Sequence, residues 1–92
     1  MALQMRDETA LMQRYIEPNP HRPGLDDARL ISYGVPVWAL IGHFLAIGQD
    51  RVQTAVDYDI PLEAMDAALA YYACHKPVIE ARIAANSPVS AG

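Results

Sequence analysis

Apolar residues are densest between Val35 and Ile47. Val37, Leu40, Ile41, Phe44 and Leu45 recur at helical spacing, and Trp38 and Ile47 widen the stripe. Pro36 suits the first turn of such a helix, where its missing N–H would have no partner anyway. A helix apolar this far round has to be buried on most sides. A short chain has little protein with which to cover it, so a homodimer is the expected solution. Gly48 is the natural stop, because a left-handed residue beyond a helix end is least strained as glycine. Asp50 then caps a second helix, Arg51–Tyr58, with Val52, Ala55 and Val56 expected on its inner face. The link Asp59-Ile60 leads to Pro61 at the start of a third helix, whose stripe is Leu62, Met65, Leu69 and Tyr72. Glu63 complements the positive end of that helix. Ala64, Ala67, Ala68 and Ala70 favour helix and permit close packing. Pro77 opens a last helix carrying Val78, Ile79 and Ile83, and residues 86–92 read as a frayed end.

The first third of the chain is less regular. Residues 1–17 are weakly amphipathic through Leu3, Leu11, Met12, Tyr15 and Ile16, and Asp7 is positioned to cap a short helix over Glu8–Arg14. Residues 18–27, rich in proline and closing on Gly24 and two aspartates, predict a loop. Ala28–Val35 is short and mixed and predicts one or two brief strands. Two short helices joined by a very short link, after an apolar first helix, describe a helix-turn-helix shape. The expected fold is therefore mainly α, a small helix-turn-helix bundle with short N-terminal strands. Three segments are expected: an extension over 1–14, a central domain over 15–75, and a C-terminal helix with tail over 76–92.

With 92 residues and 10.1 kDa there is room for one domain. The chain is 52% hydrophobic and 20% charged, too apolar for intrinsic disorder. Seven Lys and Arg against 11 Asp and Glu give a net charge of −4, which argues against a generic nucleic-acid coat protein. The single cysteine, Cys74, excludes a disulfide framework. No apolar run follows a basic start, so no signal peptide is expected. The Val35–Ile47 stretch is shorter than the ~20 residues of a spanning helix. A cytoplasmic protein with a reduced Cys74 and no membrane contact is the expectation.

Several of these residues resemble a known family. The run Gly34-Val35-Pro36-Val37-Trp38, then Gly48, then Asp57-Tyr58-Asp59-Ile60-Pro61-Leu62-Glu63 and Ala67-Ala68-Leu69-Ala70-Tyr71 is similar to the bacterial family called domain of unknown function 433, whose members are often classed as VapB-like antitoxins. The resemblance covers roughly residues 15–75. It implies a homeodomain-like fold, dimerisation, and a role as an antitoxin blocking a PIN-like ribonuclease toxin. It carries no catalytic residues over. One departure is clear: where the family has Gly-Thr-Arg before its Ile-Pro-Val, this chain has Ser32, Tyr33 and Gly34, so the arginine is missing.

Charge bears on whether the helix-turn-helix meets DNA. Residues 37–72 hold one basic residue, Arg51, and five acidic ones, Asp50, Asp57, Asp59, Glu63 and Asp66. DNA affinity comes largely from cations that neutralise phosphates, and Glu63 and Asp66 stand where a recognition helix would enter the groove. DNA binding is therefore disfavoured, and any contacts fall to Arg14, Arg22, Arg29, Lys76 or Arg82, four of which (Arg22, Arg29, Lys76 and Arg82) are the main candidates. His21, His43 and His75 lack metal-ligand spacing, and neighbouring Cys74 and His75 point along different helix directions, so neither a metal site nor a catalytic dyad is expected. No cofactor is expected, and the protein reads as a non-enzyme. His43 inside the apolar helix reads either as a pH-sensitive interface residue or as a histidine satisfied by a backbone carbonyl or by its symmetry mate. Trp38 and Phe44 suit a core or an interface, while Tyr71, off the predicted stripe, suits a partner or dimer interface. The leading expectation is an antitoxin. A DNA-binding regulator and a non-catalytic homo-oligomeric module are the alternatives.

Overall fold

The computed structural model describes residues 2–22 and 24–86, with side chains described from residue 8 onward. In chain order these form helix α1 (Ala2–Tyr15), strand β1 (Ile16–Glu17), a 3-10 turn (Leu25–Asp27), strand β2 (Arg29–Leu30), and helices α2 (Val37–Ala46), α3 (Arg51–Asp57), α4 (Leu62–Cys74) and α5 (Lys76–Ala85). The fold is mainly α with a short two-stranded antiparallel sheet, as the hydrophobic pattern predicts. The expected tail over 87–92 lies outside the described residues.

The helix boundaries follow from local chemistry. Pro36 and Pro61 sit at the caps of α2 and α4 in extended conformation, one residue earlier than a first-turn proline. The α2 helix ends in a Schellman turn: Gly48, at φ +82°, donates to the Leu45 carbonyl and Gln49 to the Phe44 carbonyl. The same turn recurs after α3. Asp59 occupies the left-handed position at φ +55°, and Ile60 donates to the Ala55 carbonyl. Asp50 caps α3 as expected, its carboxylate accepting from the Gln53 N–H at 3.0 Å. By contrast, α1 runs through Asp7 from Ala2, so the expected cap at Asp7 and the shorter Glu8–Arg14 helix are corrected.

The sheet is tied together through non-local pairs. Ile16 lies opposite Leu30 and Glu17 opposite Arg29. Beyond β2, Leu30 donates to the Val35 carbonyl and Gly34 to the Leu30 carbonyl, closing a tight turn at which Gly34 adopts φ +70°. The resulting ribbon turns the chain into α2.

The core is built from Leu30, Val37, Leu40, Ile41, Ala64, Met65, Ala68 and Ile79, all fully buried. Met12 and Tyr15 from α1 and Ile83 from α5 pack against it, so a single core draws on both ends of the chain. Most of the apolar stripe of α2 is covered from within: Val37, Leu40, Ile41 and Phe44 are buried by neighbouring helices, while Leu45, expected in the stripe, is exposed. Its breadth therefore does not require a second copy.

Two predicted faces are rotated. On α3 the buried residues are Thr54 and Ala55, while Val52 and Val56, expected inside, are exposed. The Thr54 hydroxyl donates to the Asp50 carbonyl at 2.7 Å, which satisfies it locally and lets it face inward. On α4 the buried face is Ala64, Met65, Ala67, Ala68 and Tyr71, while Leu62 is exposed and Leu69 and Tyr72 are half-buried. Small alanines rather than large apolar residues mark the inner side, because α1, α2 and α3 all approach α4 closely.

Candidate partner-binding surfaces

The four residues expected at an interface all make contacts within the chain's own fold. Phe44 is buried. Tyr71, expected to face a partner, is buried as well, and its hydroxyl donates to the Leu25 carbonyl at 2.7 Å. That reading is corrected: Tyr71 fastens the 3-10 turn to α4, and burial raises its phenol pKa. Trp38 is half-buried, with the Arg82 guanidinium 5.1 Å above its ring.

His43 is satisfied within the chain by a carboxylate, and not by the backbone carbonyl or symmetry mate expected. Its Nε2 lies 2.8 Å from Oδ2 of Asp57, and its ring meets Tyr58 edge-on at 5.4 Å. Gln53 donates to the other oxygen of Asp57 at 2.7 Å. The His43 bond first, and the Gln53 bond second, hold the Asp57 carboxyl below its ordinary range. This cluster pins α3 to the last turn of α2.

The cations expected to contact DNA are occupied. Arg29 donates to Glu17 at 2.9 Å across the β1–β2 pair. Arg82 donates to both Asp26 and Asp27, binding the 3-10 turn to α5, and the Asp27 bond raises its pKa. Lys76 stands over the Tyr72 ring at 5.9 Å. Arg22 is exposed and stands 3.9 Å from Asp27. Arg51 donates to Asp66 at 2.9 Å, and Arg14 lies over the Tyr15 ring at 5.4 Å. Among the residues whose side chains are described, every Lys and Arg thus faces a carboxylate or an aromatic ring.

Two further features were not legible as sites. A largely apolar groove of about 530 Å³ runs between the end of α1, β1 and the end of α4, with Met12, Ile16, Leu25, Ala28, Tyr71 and Cys74 on its walls. Cys74 is exposed there, and the Tyr71 and His75 rings lie 4.5 Å apart. The second feature is the outer face of α3, where Val52 and Val56 stand in solvent. The signal for that face was present: a seven-residue helix with apolar residues at 52, 55 and 56 plus Thr54 buries one side only, and the hydroxyl that could bond its own backbone was the one to go in.

Among the described residues, no three His, Cys, Asp or Glu side chains come together as a metal-binding group. Nor is any helix there long and apolar enough to cross a membrane. These features define a small, mainly helical domain with an N-terminal β-ribbon and a short α3–α4 corner. No protein-family model, curated protein or solved structure matches the chain.

Proposed function

We propose that this protein works by contact and performs no reaction, as the antitoxin of a bacterial type II pair that neutralises a PIN-like ribonuclease toxin by direct binding. The observation that carries this reading is the state of the charges. The described cations are engaged within the chain, whereas the net charge is −4. Such a surface is poor at gathering phosphates and suited to a basic protein. A ribonuclease needs a basic path for RNA, and an acidic domain seated on that path blocks it. The resemblance of Gly34–Tyr71 to the domain of unknown function 433 family supports the same reading. Co-expression with the product of the neighbouring gene tests it: the expected result is a stable complex and rescue of growth, and neither complex nor rescue removes the proposal.

One observation favours the second reading, a DNA-binding regulator. Helices α3 and α4 are joined by only four residues, 58–61, in the manner of a helix-turn-helix. Opposing it, Glu63 and Asp66 occupy the first turns of α4. Salt-dependent binding to the protein's own promoter, weakened by Arg22→Ala with Arg29→Ala, would support the regulator. The third reading, a homo-oligomeric module, predicts self-association of the purified chain in sedimentation, with neither partner bound.

A further inference from the structure

The outer face of α3 carries apolar side chains that nothing in the described chain covers. Val52 and Val56 are 53% and 65% exposed. They are four residues apart and so share one side of the helix. Val52 borders an open depression shared with Phe44, Gly48 and Leu69. Single exposed apolar residues are ordinary. Here two β-branched residues, neither a strong helix former, stand on one side of the helix, Val52 at the edge of the hollow, where the fold itself gains little from them.

The surrounding charges select what fits. Asp50 lines the same depression. Exposed Asp59 closes the helix, while the Asp57 carboxylate is turned to His43 and Gln53 and so is engaged within the chain. Arg51 also borders the hollow, but its guanidinium is engaged by Asp66 at 2.9 Å. The face is therefore an apolar pair flanked by two aspartates, Asp50 and Asp59. A second copy seated isologously would bring two acidic faces together. Nucleic acid would bring phosphates against them. A protein presenting an aliphatic or aromatic knob ringed by Lys and Arg satisfies both the hollow and the charges.

We propose that the Val52–Val56 face of α3 is the docking surface for such a basic protein partner. The toxin as occupant rests on the antitoxin reading above; the surface and the chemistry of its partner do not.

Two measurements on the full chain test this. The first titrates 15N-labelled protein with a short amphipathic peptide of leucine and lysine, and with its leucine–glutamate counterpart. The lysine peptide is expected to shift the amides around Val52, Val56 and Asp59, with affinity falling on added salt. The Val52→Ala/Val56→Ala variant should weaken it about tenfold. Alanine is a better helix former than valine, so this variant keeps α3 intact. Asp59→Asn, which tolerates the left-handed backbone, should reduce the salt dependence. Absent binding, shifts centred on the groove beside Tyr71, equal binding of the glutamate peptide, or indifference to the alanine pair would each overturn the proposal.

The second measurement puts Val52→Ala/Val56→Ala into the co-expression experiment. Loss of the complex supports the surface. A complex formed undiminished removes this surface and leaves the antitoxin reading standing. No complex even with the unaltered chain, together with peptide shifts at Val52 and Val56, removes the antitoxin reading and leaves the surface.

Discussion

Gly42 lies in the interior of α2, facing α5, and its replacement by alanine should stabilise the protein. Glycine in a helix interior costs about 0.8–1.0 kcal/mol relative to alanine, because the unfolded chain loses more freedom on ordering. Whether that gain is realised depends on the space beside it. A Cβ built on Gly42 would meet Cγ1 and Cγ2 of Ile83, each at 3.8 Å. That is ordinary van der Waals contact, so the methyl group adds a few tenths of a kcal/mol of dispersion and displaces nothing. The sum is about 1–1.3 kcal/mol. For a chain of this size it should appear as a rise in Tm of about 4–8 °C per kcal/mol. Thermal and urea melts of the purified variant measure it, with an unchanged m-value confirming that the surface exposed on unfolding is the same. Making the same change in an Ile83→Ala background should return only the helix-propensity part. A Tm equal to or below that of the unaltered chain would mean that α2 and α5 sit closer than described, and would refute the argument.

Other substitutions probe the caps and ties. Asp59→Gly should raise stability by about 0.5–1 kcal/mol, since it relieves a left-handed residue closing a helix, whereas Gly48→Ala should lower it by about 1 kcal/mol; chemical denaturation reads both. Arg82→Ala should cost about 1–3 kcal/mol by leaving Asp26 and Asp27 without their donor, and Arg82→Lys should restore only part of it, since an ammonium lacks the planar face that lies over Trp38. Asp57 is depressed in the fold from its ordinary 3.8, so its contribution is complete above that pH and is lost as pH falls through the lower folded value. The Tm difference between the unaltered chain and Asp57→Asn should therefore shrink on acidification below about pH 4, and a difference constant across that range would show that the His43 bond does not act.

What was legible in the chain is what short-range chemistry decides. The α2 stripe, the Asp50 cap, the Gly48 stop and the proline-led starts of α4 and α5 each depend on residues within a turn of one another. The β-ribbon was half visible. Arg29–Leu30 falls where strands were expected, but Ile16–Glu17 is two residues long and becomes a strand only by pairing with a segment beyond the proline-rich loop. The orientations of α3 and α4 were misread for a related reason. Size and apolarity suggested Val52, Val56 and Leu62 as inner residues, yet close helix approach selected alanines and a self-satisfied threonine. The fate of the cations was the least accessible. Arg82 meets Asp26 and Asp27 across 56 and 55 positions of sequence, and no local pattern links them.

That internal use of cations has a consequence for encounter. At distances beyond the Debye length, about 8 Å at physiological salt, a partner responds to the net field and not to individual pairs. An Arg–Asp pair such as Arg51–Asp66 or Arg82–Asp27 contributes almost nothing to that field, because its charges cancel at short range. The unbalanced carboxylates remain, and Asp50 and Asp59 lie near Val52 and Val56, not beside the groove at Tyr71. The α3 face is thereby favoured for steering basic partners, and the field weakens with salt while the apolar contact does not. Association and dissociation should respond differently. Added salt should mainly slow association, whereas truncating Val52 and Val56 should mainly speed dissociation, because charge governs the approach and the apolar seat governs the hold.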